Sequence, residues 1–235
     1  MTILDSELAL GDFIEVAELL IENGAEVNVQ GNWTERWGAR TPLIWAAAKD
    51  AYRVAKLLIS HNANKFTAKN DGTQAIHQAA NDNSAKVLKL LIQSGVTIDE
   101  PNPFGSTPLS YASQHDTSHN MVKYLVEHGA FINSKGEGSK TPLMWASKNN
   151  AIQNVKYLIK NCADTNLTND KDETALAIAR RHFLNDTNFS ELVDVLSNKT
   201  FIDSVQINCT RYYNNTKVSQ PASRLHFDHT LIELS

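Results

Sequence analysis

Only two of the 235 residues are cysteines, Cys162 and Cys209. Two cannot build a disulfide framework, which fits a reducing, cytoplasmic setting. On that reading the Asn-x-Ser/Thr sequons, such as Asn32-Trp33-Thr34, carry no glycosylation meaning. Basic charge is not in excess either. Lys and Arg number 22 against 26 Asp and Glu, a net charge of −4, so the chain lacks the cationic surplus of a general nucleic-acid binder. No apolar run approaches the ~18 residues of a membrane span. Met1 to Leu10 shows no basic region followed by an apolar stretch, so no secretory signal is read there. Catalytic signatures are missing as well: there is no phosphate-binding Gly loop, G-x-S-x-G, H-E-x-x-H or C-x-x-C. What remains is 42% hydrophobic residues against 20% charged, enough to bury a core.

The chain repeats itself. Thr41-Pro42-Leu43, Thr107-Pro108-Leu109 and Thr141-Pro142-Leu143 are joined in register by Gln74-Ala75-Ile76 and Thr174-Ala175-Leu176. A second marker keeps the same step of 33 or 34 residues. Gly24, Asn62, Gly95, Gly129 and Cys162 each follow an apolar segment, such as Leu57-Leu58-Ile59 or Tyr157-Leu158-Ile159. Each unit reads as two helices. Thr stands at an N-cap and Pro at the first helical position, where its missing N–H costs nothing. The second helix spaces Val54, Leu57 and Leu58 helically and ends at Gly or Asn, which tolerate a left-handed backbone. Cys162 breaks that rule at a cost on the order of 1 kcal/mol.

These units resemble ankyrin repeats, whose signature is a 33-residue period with T-P-L-H-x-A. The resemblance implies an all-α solenoid of six units, approximately 1–40, 41–73, 74–106, 107–140, 141–173 and 174–199, the first and last acting as caps. It also implies an elongated array with a concave groove that binds other proteins and performs no catalysis. The signature His survives only at His77; Ile44, Ser110, Met144 and Ala177 replace it. The last unit carries about five extra residues around Arg180 to Asn188. Residues 200–235 lie beyond the repeats, as an added cap, a docking peptide or a tail. Val205, Ile207 and Cys209 alternate there, as do Leu225 and Phe227, so two short strands are expected. Phe201 to Cys209 is expected to cover the open side of the last unit.

Two features stand out as candidate partner-binding sites. The first hairpin is about five residues too long, within Gly31 to Arg40. It holds Trp33, Glu35, Arg36, Trp37 and Arg40, and Trp and Arg are enriched at binding hot spots. Two roles fit: partner binding, or a lid over the N-terminal end. The second feature is a row of side chains one residue before the paired Ala. At 100° per residue that position falls about 200° from the core-facing Leu. It reads Trp45, Gln78, Tyr111, Trp145 and Ile178, turned towards the groove.

Weaker signals are set aside. His115 and His119 flank Asp116, and His226, Asp228 and His229 cluster near the end. Neither group has the further ligand segment a metal needs. Arg180-Arg181-His182 reads as a solvated insert. Cys162 and Cys209 lack neighbouring basic residues that would activate a thiol. The resulting expectation is a cytoplasmic, monomeric, non-enzymatic scaffold or adaptor. It binds an unidentified protein partner, with no cofactor, no metal, no nucleic acid and no membrane insertion. Lys outnumbers Arg 15 to 7, as in AT-rich genomes, and this leaves room for a bacterial effector acting in a host cell. A regulatory substrate is the alternative. Asn28, Asn133 and Asn166 sit where asparaginyl hydroxylases act on ankyrin proteins, with Leu20, Leu125 and Leu158 upstream. Hairpin bonding by the same asparagines is the structural reading.

Overall fold

The computed structural model describes residues 14–31, 39–183 and 190–216. Among them all regular structure is helical. The chain divides into two compact units, Met1–Ala112 and Ser113–Ser235.

In the first unit α1 (Ile14–Glu22) precedes two helix pairs, α2 (Pro42–Ala48) with α3 (Tyr52–Ser60) and α4 (Ala75–Asn81) with α5 (Ala85–Gln93), and then α6 (Pro108–Ala112). Helices α2, α4 and α6 pack side by side, and α1, α3 and α5 form a second layer behind them. The second unit holds α7 (His119–Glu127), α8 (Pro142–Lys148), α9 (Ile152–Lys160), α10 (Ala175–Phe183), α11 (Ser190–Ser197) and α12 (Lys199–Thr216). Here α8 packs on α10, while α9 lies between α7 and α11. No single repeat buries its apolar face alone, so within each unit the core runs between neighbouring repeats. Leu58, Leu91, Leu125 and Leu158 recur in it and are fully buried. Each is worth roughly 1.5–3 kcal/mol of burial.

The helix starts follow the sequence. The Thr41 hydroxyl accepts from the Ile44 amide, Thr141 from Met144 and Thr174 from Ala177, each at 3.3 Å. The second helices use another device. Ala51, Ser84 and Ala151 stand at their N-caps without a side-chain bond. Asp50, in the preceding repeat, supplies the acceptor for α5: its Oδ1 takes the amides of Lys86 and Val87, both at 3.0 Å. Asp116 does the same for α9 through Gln153 and Asn154, at 3.3 and 3.2 Å. Each carboxylate therefore caps the neighbouring repeat's helix and sits at its positive end.

The hairpins close by one repeated bond. Lys69 N–H donates to Thr73 O, Asn102 to Ser106, Gly136 to Lys140 and Asn169 to Glu173, at 2.9–3.1 Å. Gly31 N–H donates to Arg40 O at 3.2 Å, so the long first hairpin closes in the same way. The second helices end with a left-handed residue as expected: Gly24, Asn62, Gly95, Gly129 and, at φ +72°, Cys162.

Two expectations for the C-terminal segment are corrected. Residues 205–209 are not a strand but part of α12. Asn198 begins that helix, its side-chain oxygen accepting from Phe201 N–H at 3.0 Å. A capped helical start outweighs an alternation of three residues. The segment around Leu225 and Phe227 lies outside the described residues. The two cysteines, read as too few for a framework, form one bridge, Cys162–Cys209, with Cα atoms 5.9 Å apart. It ties α12 to the end of α9. The support that cysteine scarcity lent to a reducing compartment falls with it, since disulfides persist in oxidising surroundings. As a cap, α12 lies against α9 and buries Ile202, whereas Phe201 and Ile207 stay exposed.

Candidate functional site

The candidate row is set by helix register. In the first unit the indole of Trp45 on α2 is half-buried, and the Arg40 guanidinium lies over it, 4.7 Å from the ring centroid. Tyr111 on α6 is also half-buried. Its hydroxyl accepts from Asn102 Nδ2 and shares a hydrogen bond with Thr73 Oγ1, both at 3.2 Å. Its ring rests on His77, with centroids 5.2 Å apart. Between them Gln78 on α4 is buried and donates to the Asp82 carboxylate at 2.6 Å. The wheel turns Gln78 away from the core, but α2 and α6 pack on either side of α4 and cover it.

His77 holds the first unit together. Its Nε2–H donates to the carbonyls of Glu100 and Ser106, at 2.9 and 3.0 Å. Both acceptors belong to the next hairpin. Nδ1 is buried without a partner, so the ring is held neutral. Burial pushes its pKa down to about 4, against the opposing pull of the two carbonyls. A second proton would place an unpartnered N–H inside the stack.

In the second unit Trp145 on α8 is half-buried and meets two lysines. The Lys140 ammonium is 4.7 Å and the Lys148 ammonium 5.0 Å from its ring centroid. Lys140 also donates to the Glu137 carbonyl at 3.3 Å. It folds over Gly138, which stands at φ +65°; a Cβ there would lie 3.0 Å from the ammonium. Glycine suits this left-handed backbone, and its missing Cβ leaves room for the ammonium. Nearby, Arg181 is matched by Glu173, Nε to Oε1 at 2.7 Å. Burial and the charges of Arg181 and Lys148 lower the pKa of His182. Ile178 on α10 is buried, 2% exposed, and offers no groove surface. Its helix packs on α8, and a short branched side chain stays within that contact.

The remaining candidates find structural partners or lie out of view. Trp33, Glu35, Arg36 and Trp37 fall outside the described residues, as do His226, Asp228 and His229. The Asp116 carboxylate is engaged as a helix cap, and His119 Nδ1 bonds Asn154 Oδ1 at 2.9 Å. Asn28 braces the first hairpin, accepting from Asn64 N–H at 2.6 Å, and Asn133 accepts from Asp164 N–H at 2.9 Å. Sequence reasoning passed over Lys140 and Lys148, although their offsets of five before and three after Trp145 were visible. It also passed over Phe66 and Phe104, which stand about half exposed on the first unit's hairpins. Among the described residues no helix is long and apolar enough to cross a membrane.

Comparison with known proteins agrees with this architecture. The family described as ankyrin repeats (3 copies) matches residues 7–102, 43–136 and 76–169. The chain is similar to the B-cell lymphoma 3 protein homolog of Mus musculus, 30% identical over 98 residues, which is 42% of this chain and 21% of that protein. It is also similar to the neurogenic locus notch homolog protein 1 of Xenopus laevis, 30% identical over 166 residues, which is 70% of this chain and 5% of that protein. The matched segments thus span about a fifth and a twentieth of these relatives. Ankyrin repeats are in general a protein-interaction module and not a catalytic one. The Thr-Pro-Leu register, the paired helices and the family match together place this chain among the ankyrin repeat proteins.

Proposed function

We propose that this protein is a non-catalytic scaffold that binds a partner protein through the aromatic faces of its two units. In the first unit the surface is Arg40, Trp45 and Tyr111, extended by the hairpin that carries Trp33, Glu35, Arg36 and Trp37. In the second it is Trp145 with its lysines. The observation that carries this reading is the partial exposure of Trp45, Tyr111 and Trp145 at one repeat position. Core positions on the same helices, such as Leu43, Leu109 and Leu143, are fully buried. Rigid aromatics presented on short helices supply contact area at little entropy cost. Gln78 and Ile178, being buried, drop out of the surface.

The test is comparative affinity capture with wild type and with Trp45→Ala and Trp145→Ala, each checked by circular dichroism for an intact fold. Proteins enriched by wild type and lost with either variant support the reading. An identical set captured by all three would sink it.

A further inference from the structure

We propose that the Trp145 face of the second unit recognises an acidic peptide segment, carboxylate side chains of the partner meeting Lys140 and Lys148. The proposal rests on the reading that this face binds protein, and it names the chemistry of what is bound.

Four observations lead there. First, two ammonium groups converge on one ring, at 4.7 and 5.0 Å. Second, neither pairs with a carboxylate among the described residues. Lys140 contacts the indole and the Glu137 carbonyl, and Lys148 lies over the indole. The neighbouring carboxylate, Glu173, is already taken by Arg181 and Asn169. Third, the Trp145 indole N–H is buried with no acceptor. A buried donor without a partner is uncommon in native proteins and costs free energy. A carboxylate is an acceptor as well as a counter-charge. Fourth, the neighbouring hairpin tips carry acidic residues, with Glu137, Asp170 and Asp172 on or next to them. These carboxylates, like the overall charge of −4, oppose any long polyanion, so the acidic segment that two lysines can hold must be short.

The position also discriminates between the units. Arg40 and Trp45 in the first unit repeat the pairing of Lys140 and Trp145. At the position of Lys148, three residues past the ring, the first unit has Ala48. The doubled cation belongs to the second unit.

The experiment uses the full chain, labelled with 15N, and an octaglutamate peptide as probe. The Trp145 indole resonance is assigned with Trp145→Phe. Addition of octaglutamate should shift that resonance and leave the Trp45 indole in place, with binding that weakens as salt rises. The double charge reversal Lys140→Glu/Lys148→Glu should weaken binding about tenfold, since each exposed ion pair is worth a few-fold. Lys140→Gln/Lys148→Gln, gentler on the fold, should weaken it less. No shift at Trp145, an equal response to octalysine, or stronger binding of a single-stranded oligonucleotide would each overturn the proposal. The proposal and the broader reading fail separately. If Trp145→Ala loses captured proteins and the charge reversal keeps them, the face binds protein but not through acidic groups. If neither variant loses any, this proposal falls, and the broader reading then stands or falls with Trp45→Ala.

Discussion

The two units share a repeat, a register and a helix-capping device, yet each is tied by a bond of a different chemical kind. In the first, His77 reaches the carbonyls of Glu100 and Ser106 in the following hairpin. Burial holds that ring neutral, and acid would charge it and add an N–H at the unpartnered Nδ1, so this tie is sensitive to acid. In the second unit the His position is Met144, which is buried but bonds no hairpin carbonyl. There the disulfide Cys162–Cys209 fastens α12 to α9, and that bond is sensitive to reductant. The difference shows how one fold tolerates the loss of a signature residue: packing is common to both units, while the specific tie is replaceable.

The largest expected effect is on the second unit. The bridge closes a loop with a sequence separation of 47, and the chain-entropy estimate for such a loop is about 4 kcal/mol. Reduction, or Cys209→Ser, should speed hydrogen exchange in α9 and α12 and leave α4 and α5 unchanged. Equal loss of protection in α4 would break the contrast between the units.

Acid should do the reverse. The unfolded imidazole takes up its proton near pH 6.5, whereas folded His77 resists until about 4. Its share of stability is therefore complete above pH 6.5 and is lost progressively as the pH falls towards 4. The loss amounts to roughly 3 kcal/mol at most. Denaturant melts of wild type and His77→Gln across that window should converge as the pH drops. Parallel curves would show that His77 is not the acid-sensitive tie.

The smallest effects sharpen the comparison, because they should be alike in both units. Asp50→Ala uncaps α5 and Asp116→Ala uncaps α9, and each should cost about 1 kcal/mol. Denaturant midpoints would show it. A cost at Asp116 alone would mean that the capping device is not shared.

Much of this was legible in the chain. Thr-Pro-Leu at a fixed step predicts the first helices and their caps, because those signals are local. The same holds for Gly24, Asn62, Gly95 and Gly129, where the backbone needs a positive φ. The helical wheel placed Trp45, Tyr111 and Trp145 away from the core. It could not foresee that Gln78 and Ile178 would be covered, since cover comes from neighbouring helices and not from the helix itself. The disulfide was invisible for a similar reason: pairing is a matter of distance, and nothing local brings Cys209 to Cys162. Asn198 was readable as an N-cap, and three alternating apolar residues outweighed it wrongly. The caps across repeats also left a trace, in Asp50 and Asp116, which stand two repeat steps apart. Site chemistry was least legible, because a lysine's meaning depends on the ring it covers.

The central claim is that half-buried aromatics at one repeat position form the binding surface. The measurement that tests it most directly is the dissociation constant of a partner recovered by capture, determined for wild type, Trp45→Ala and Trp145→Ala at one salt concentration. A buried interface aromatic is typically worth 2 kcal/mol or more, about thirtyfold in affinity. The account predicts a loss of about that size for at least one of the two variants, with the melting temperature little changed. Affinities within about twofold of wild type for both would contradict it and leave the rings as ordinary packing.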